Sequence, residues 1–405
     1  MTPDSPGLMA GAPPYSPDRL VTLENWQAPP FNRWAFQHVR ELIPTARISR
    51  GHGPAWVLPR YERDLSGVEF ATEHFGRLTL DELLDATHTD GFLVIHKGRI
   101  VTERYFNGLR PDVPHLLMSV SKSVTGLIAG ALAGQGLIDV TAPVESVVPE
   151  LAGTAFEGAL VQHLLDLRAG IGFREDYDDP EGELAVADRV YGWRPGDGKP
   201  RPADAHEYFA TLAAEGAHGA EFRYRSILID VLAWVLEKAA LAPFADLVER
   251  LLWQPMGAEC DADITLDAHG NALADGGISA TLTDAGRLGL LALRRGRANG
   301  NQVIEAYWFD DTVRGALDGA AAFKAGDGGA GHREGAHYRN GWWVSEPALP
   351  AFSAVGINGQ LVFVHGPSET VVVKLSSWPT ALSTPLRRAT LTAVTAITTE
   401  LSARR

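Results

Sequence analysis

The sequence predicts an α/β chain, α+β in layout, whose antiparallel sheet is flanked by helices and interrupted by a mainly helical insertion. Three observations lead there. Strand-like apolar runs lie towards both ends of the chain, at residues 91–106, 352–364 and 370–377. Helical periodicity fills the interval between them. The first run folds back at Lys97-Gly98 and the last two meet around His365-Gly366-Pro367, which makes them hairpins and the sheet antiparallel. Strands from distant segments that share one sheet require the helices between them to stand out as an insertion. The predicted organisation is a loosely ordered leader at 1–22, an α/β subdomain from 23–118 and 276–405, and a helical subdomain at 119–275.

Each element has its own signal. The leader is rich in Pro, Gly and Ser, and residues 26–50 hold too many breakers for one long helix. From Ser119 the period changes: Val120, Val124, Leu127, Ile128 and Ala131 recur on one helical face, with Gly134 and Gly136 as a stop. A second helix is expected over 159–170, ending at Gly170, and long loops over 174–220. Residues 227–240 and 244–257 read as further helices, and an amphipathic helix closes the chain over about 384–401.

Bulk properties exclude several classes of function. The 405 residues carry a formal net charge of −14 without a Lys/Arg cluster, which disfavours a nucleic-acid partner. Cys260 is the only cysteine, so no internal disulfide and no cysteine-rich zinc site can form. No stretch has the length and apolarity of a membrane span, and the N-terminus lacks a secretory pattern, so a cytoplasmic location is expected. The expected partner is a small molecule, with neither nucleic acid nor membrane, and the sequence leaves a homodimer open. Gly326-x-Gly328-x-x-Gly331 is not preceded by a strand or followed by an apolar helix, so it reads as a flexible loop. His332 and His337 do not form a His-Glu-x-x-His, and Pro180 and Glu181 break calcium-loop spacing after Asp176, Asp178 and Asp179. Neither metal nor cofactor is expected.

The chemistry lies in Ser119-Val120-Ser121-Lys122. On a helix, residues three apart share a face, so the lysine can reach the hydroxyl. A lysine takes that proton only if desolvation or nearby positive charge lowers its pKa, which is the expectation for Lys122. Ser119 falls at the helix start, where free N–H groups stabilise an oxyanion.

Around this motif, residues 115–132, 161–173, 219–237, 251–257 and 276–293 together resemble the serine β-lactamase, DD-peptidase and esterase family. The resemblance implies a β-lactamase/transpeptidase-like fold, Ser119 as acylated nucleophile, Lys122 as base and Tyr224 as second proton carrier. Trp26-Gln27, Pro29-Pro30, residues 32–36, and the blocks at 175–180, 188–194 and 373–379 look more narrowly like the nylon-oligomer (6-aminohexanoate-dimer) hydrolase branch. That likeness implies Tyr177 at the scissile amide and Asp188 facing a substrate ammonium. It implies an oxyanion hole from the N–H groups of Ser119 and Ile357, with Asp275, Asn358 and Trp343 lining the pocket. The chain departs from the pattern in three places. Arg225-Ser226 follows Tyr224 where the family favours Tyr-x-Asn. Ala354-Val355-Gly356 fills the Lys-Thr-Gly slot, which weakens a β-lactamase or DD-peptidase reading. Asn358 and Asp275 stand where the branch has His, and Asn or His. The function expected is hydrolysis of a short linear amide or a small carboxylic ester through an acyl-enzyme.

Overall fold

A computed structural model describes residues 7–328, 333–348 and 350–403. Its centre is a seven-stranded, wholly antiparallel sheet. The strands are β1 (Thr89–His96), β2 (Arg99–Tyr105), β3 (His337–Arg339), β4 (Trp342–Glu346), β5 (Ala351–Gly356), β6 (Gln360–His365) and β7 (Thr370–Ser376). Their spatial order is β3-β4-β5-β6-β7-β1-β2, so β7 joins the C-terminal strands to the N-terminal hairpin. This join is the distant assembly that the two apolar ends predict.

Helices cover both faces. One face buries Phe92, Val94, Val101 and Val372 under α1 (Leu80–Ala86) and α5 (Thr384–Ala403). The other meets α4 (Leu282–Leu293), where Gly286 and Gly289 let the helix lie directly on Leu93 and Val371. The same side continues into the main core, which includes α2 (Val120–Gly134) and α3 (Ile227–Ala240). A smaller sheet of Thr45–Ile48, Ala262–Thr265, Ile278–Ala280 and His115–Leu116 delivers the chain to the start of α2.

Several local expectations need correcting. Helix is confined to Val161–Leu165 within 159–170, because Leu167 adopts a left-handed φ of 53°. The region 174–220 holds two short helices, Glu183–Val190 and Ala205–Ala210, beside its loops. The run at 352–364 is two strands, turned at Asn358 (φ 56°) and Gly359 (φ 91°). In the expected loose leader, Leu8 and Val21 are buried in the main core. Residues 326–328, expected as flexible loop, are bonded to the chain around Phe222, whereas Gly331 and His332 lie outside the described residues. Among the described residues no group of side chains is arranged to hold a metal ion, and no helix is long and apolar enough to cross a membrane.

Helix α2 is the best anchored element. Its polar residues are buried and each binds a different neighbour. Ser121 Oγ accepts from the Ile278 N–H at 3.2 Å, Ser123 Oγ donates to Gly341 O at 2.6 Å, and Thr125 Oγ1 donates to Ala274 O at 3.0 Å. Gly126 faces the Asn340-Gly341 turn so closely that a Cβ would stand 2.1 Å from Asn340 O. Gly126→Ala is therefore expected to destabilise the fold by about 2–3 kcal/mol in denaturant unfolding. Gly134→Ala would meet only the flexible Glu305 side chain and is expected to be near neutral. Equal stability for the two variants would show that the helix-to-turn contact is not tight.

Candidate active site

The chain enters the site through a strained residue. Met118 takes a left-handed φ of 48°, and the Leu117 N–H is tied to Ile278 O at 2.8 Å. That bend brings Ser119 to the N-cap of α2, 9% exposed, with Lys122 one turn further and only 1% exposed. Lys122 Nζ donates to Ser119 Oγ at 2.8 Å. The same ammonium reaches Asp275 O at 3.0 Å and Asp275 Oδ2 at 3.3 Å, and lies 5.3 Å from the centre of the Tyr224 ring. Ser119 lies near enough to help draw the Tyr224 phenol downward, so Lys122 and the phenol both neighbour the hydroxyl.

Electrostatics correct the expectation for the lysine. Burial pushes Lys122 down, but the Asp275, Tyr224, Glu175 and Asp230 charges outweigh it and hold the group above an ordinary lysine. These carboxylates favour the ammonium form of Lys122. Burial raises Tyr224, and the Lys122 charge and the nearby Ser119 only partly pull it back. Burial and the neighbouring Asp275 carboxylate push Asp230 well above the carboxylate range, and Asp230 Oδ1 accepts the Asp275 N–H at 2.9 Å.

Other expected residues fall into place around this centre. Tyr177 donates its hydroxyl to Glu175, whose carboxylate also accepts from Ser226 N and Ser226 Oγ, both at 2.7 Å. Asp188 is paired with Arg194 at 2.7 Å, and burial pushes its pKa up to about 6 against the pull of that arginine. Trp343 stacks on Tyr224 with ring centres 5.6 Å apart. Ile357 follows Gly356, where a Cβ would stand 2.7 Å from Leu117 O, so the end of β5 abuts the segment just before the nucleophile.

Asn358 was expected on the substrate side. It takes the left-handed turn position after β5, and its amide donates to Trp378 O at 3.0 Å. Arg225 points away from the pocket, to Ala169 O, Phe173 O and the Glu215 carboxylate. Two open grooves of about 580 and 910 Å³ flank α5 instead, share Thr392 and Thr395, and include no residue of this centre.

Three residues were not anticipated: Glu175, Asp230 and Arg194. Glu175 stands two residues before Tyr177, and Arg194 closes the same block as Asp188, so proximity was the available signal. Asp230, on the first turn of α3, gave none.

The fold is that of the β-lactamase/transpeptidase class. The Beta-lactamase family profile matches residues 77–397, and the chain belongs to that family. It is 37% identical over 375 residues to the 6-aminohexanoate-dimer hydrolase of Paenarthrobacter ureafaciens, spanning 92% of this chain and 90% of that protein. Esterase EstB of Burkholderia gladioli is 32% identical over 156 residues, 37% of this chain and 38% of the esterase. A Bacillus anthracis structure provisionally named as a 6-aminohexanoate-dimer hydrolase superposes with a TM-score of 0.86 at 26% identity, covering 95% of this chain and 97% of that one. The chain is thus a hydrolase of the β-lactamase family with amide- and ester-cleaving relatives.

Replacing Asp275 tests the charge balance. Asp275→Asn removes the carboxylate closest to Lys122, so the lysine pKa falls and the alkaline limb of kcat moves to lower pH. A pH–rate profile on a p-nitrophenyl ester reads this, and an unmoved limb would remove Asp275 as counter-charge.

Proposed function

We propose that this protein forms an acyl-enzyme on Ser119 and hydrolyses short linear amides of the 6-aminohexanoate-dimer type or small carboxylic esters. The observation that carries this is the Lys122 Nζ to Ser119 Oγ hydrogen bond of 2.8 Å at a helix N-terminus, with the Tyr224 ring centre 5.3 Å from the same nitrogen.

Ser119 Oγ attacks the carbonyl carbon. Its proton passes to Tyr224 Oη while Tyr224 gives its own proton to the leaving nitrogen or oxygen, so no free phenolate is required. The C–N or C–O bond breaks and the acyl ester remains on Ser119. Water then attacks that ester, gives a proton to Tyr224, and Tyr224 returns one to Ser119 as the acid departs. Lys122 stays charged throughout and orients the hydroxyl. The N–H groups of Ser119 and Ile357 receive the oxyanion, and one such donor is worth about 10²–10³ in rate. Tyr177 is assigned to the scissile amide, and Asp188 to the ammonium end of an amine-bearing substrate.

A β-lactamase or DD-peptidase role is less well supported, since Ala354-Val355-Gly356 offers a substrate carboxylate no lysine on β5. The distant possibility of a non-catalytic binding module is addressed by a fluorophosphonate probe, which is expected to label Ser119.

A panel of p-nitrophenyl esters, linear aminoacyl amides and nitrocefin tests the reading. Ser119→Ala is expected to lower ester and amide turnover by about 10³-fold or more. Retained turnover in that variant would sink the proposal.

Asp188 provides a pH test. It is protonated below about 6 and charged above, so KM for an amine-ended amide is expected to fall as pH rises through that value. KM for a neutral ester stays flat over the same range. Asp188→Gly is expected to raise the amide KM about tenfold and leave the ester KM unchanged. If the amide KM ignores both changes, Asp188 does not hold the amine.

A further inference from the structure

We propose that Asp327 is a positioning residue for Tyr224. The inference rests on the reading of Tyr224 as proton carrier.

Tyr224 sits on irregular chain just before α3, so its backbone needs partners from elsewhere. The turn after the helix Gly319–Ala325 supplies them. Phe222 N–H donates to Ala322 O and Asp327 N–H donates to Phe222 O, both at 3.0 Å. This zipper delivers the Asp327 carboxylate, whose Oδ2 accepts the Tyr224 N–H at 2.8 Å and whose Oδ1 accepts from Arg223 at 3.2 Å. On the opposite edge, the Arg223 N–H donates to Leu167 O at 3.0 Å.

The glycines explain how the turn comes so close. A Cβ on Gly326 would stand 1.7 Å from Phe222 O, and one on Gly328 would stand 2.4 Å from the Phe323 ring. These are the first two glycines of Gly326-x-Gly328-x-x-Gly331, and close backbone approach accounts for them. Two carboxylates therefore clamp the chain on either side of the phenol. Asp327 holds the N–H of Tyr224 itself, and Glu175 holds the N–H of Ser226. Trp343 fixes the ring by stacking, so the backbone clamp sets where the hydroxyl ends.

The test compares Asp327→Ala, Asp327→Asn, Arg223→Met and Tyr224→Phe on one ester and one amide, with kcat, KM and melting temperature measured for each. Asp327→Ala is expected to lower kcat about tenfold with KM little changed, since small misplacement of a reacting group is costly. Asp327→Asn keeps an acceptor for the Tyr224 N–H and is expected to recover most of the rate. Arg223→Met removes its ion pairs with Asp327 and Glu221 while leaving the Asp327 bond to the Tyr224 N–H, and is expected to match the parent. Should Asp327→Ala not fold, a parent-like kcat in Asp327→Asn beside a parent-like Arg223→Met still supports the assignment. A parent-like kcat in Asp327→Ala, with Tyr224→Phe inactive, overturns the role of Asp327 and leaves that of Tyr224 standing. Full activity in Tyr224→Phe overturns both. A loss in Arg223→Met equal to that in Asp327→Ala overturns the proposal in favour of the ion pair.

Discussion

The structure is organised around one buried ammonium. Taking a lysine out of water costs several kcal/mol unless other groups answer its charge. Here both oxygens offered by Asp275, the Ser119 hydroxyl and the Tyr224 ring surround Lys122. Each then constrains something further. Asp275 is held through its N–H by Asp230. Tyr224 is stacked on Trp343. Ser119 is bent into place by Met118. The site can be traced outward from that single nitrogen.

This centre exists because three distant stretches converge. Ser119 comes from the start of α2, Tyr224 from the approach to α3, and Asp275 from the chain entering the small sheet. The buried hydroxyls of α2 bind Ala274 and Ile278, on either side of Asp275, and Gly341, so the helix is fastened to the stretch that carries Asp275. His115, just ahead of the nucleophile, pairs with Asp90 at the start of β1, which couples the small sheet to the large one.

Much of this was legible from residue patterns, and the failures have physical causes. Helices α2 and α3 were found because apolar residues repeat at helical spacing, and β1–β2 because Lys97-Gly98 provides the turn. Two hairpins escaped although each carries an Asn-Gly pair in left-handed conformation, Asn340-Gly341 and Asn358-Gly359. The signal was present; around Asn358-Gly359 the apolar neighbours on both sides read as one continuous strand, and around Asn340-Gly341 no strand was read. Ser119 and Lys122 were visible through their spacing. The charge state of Lys122 was not, because Asp275 lies 153 residues away and its approach depends on the tertiary fold. Asp188 stood out as a charge, while its pairing with Arg194 across a short helix end did not.

That pairing has a consequence for selectivity. The carboxylate is not a lone anion waiting for a cation, because an arginine already answers it. On the proposed role of Asp188, an incoming amine would exchange partners with the guanidinium, and the number of ion pairs is the same before and after. The free energy of recognition is then a difference between two similar contacts, so charge alone discriminates weakly. Length and shape of the acyl chain are left to do most of the sorting, which suits an enzyme whose relatives divide between amides and esters.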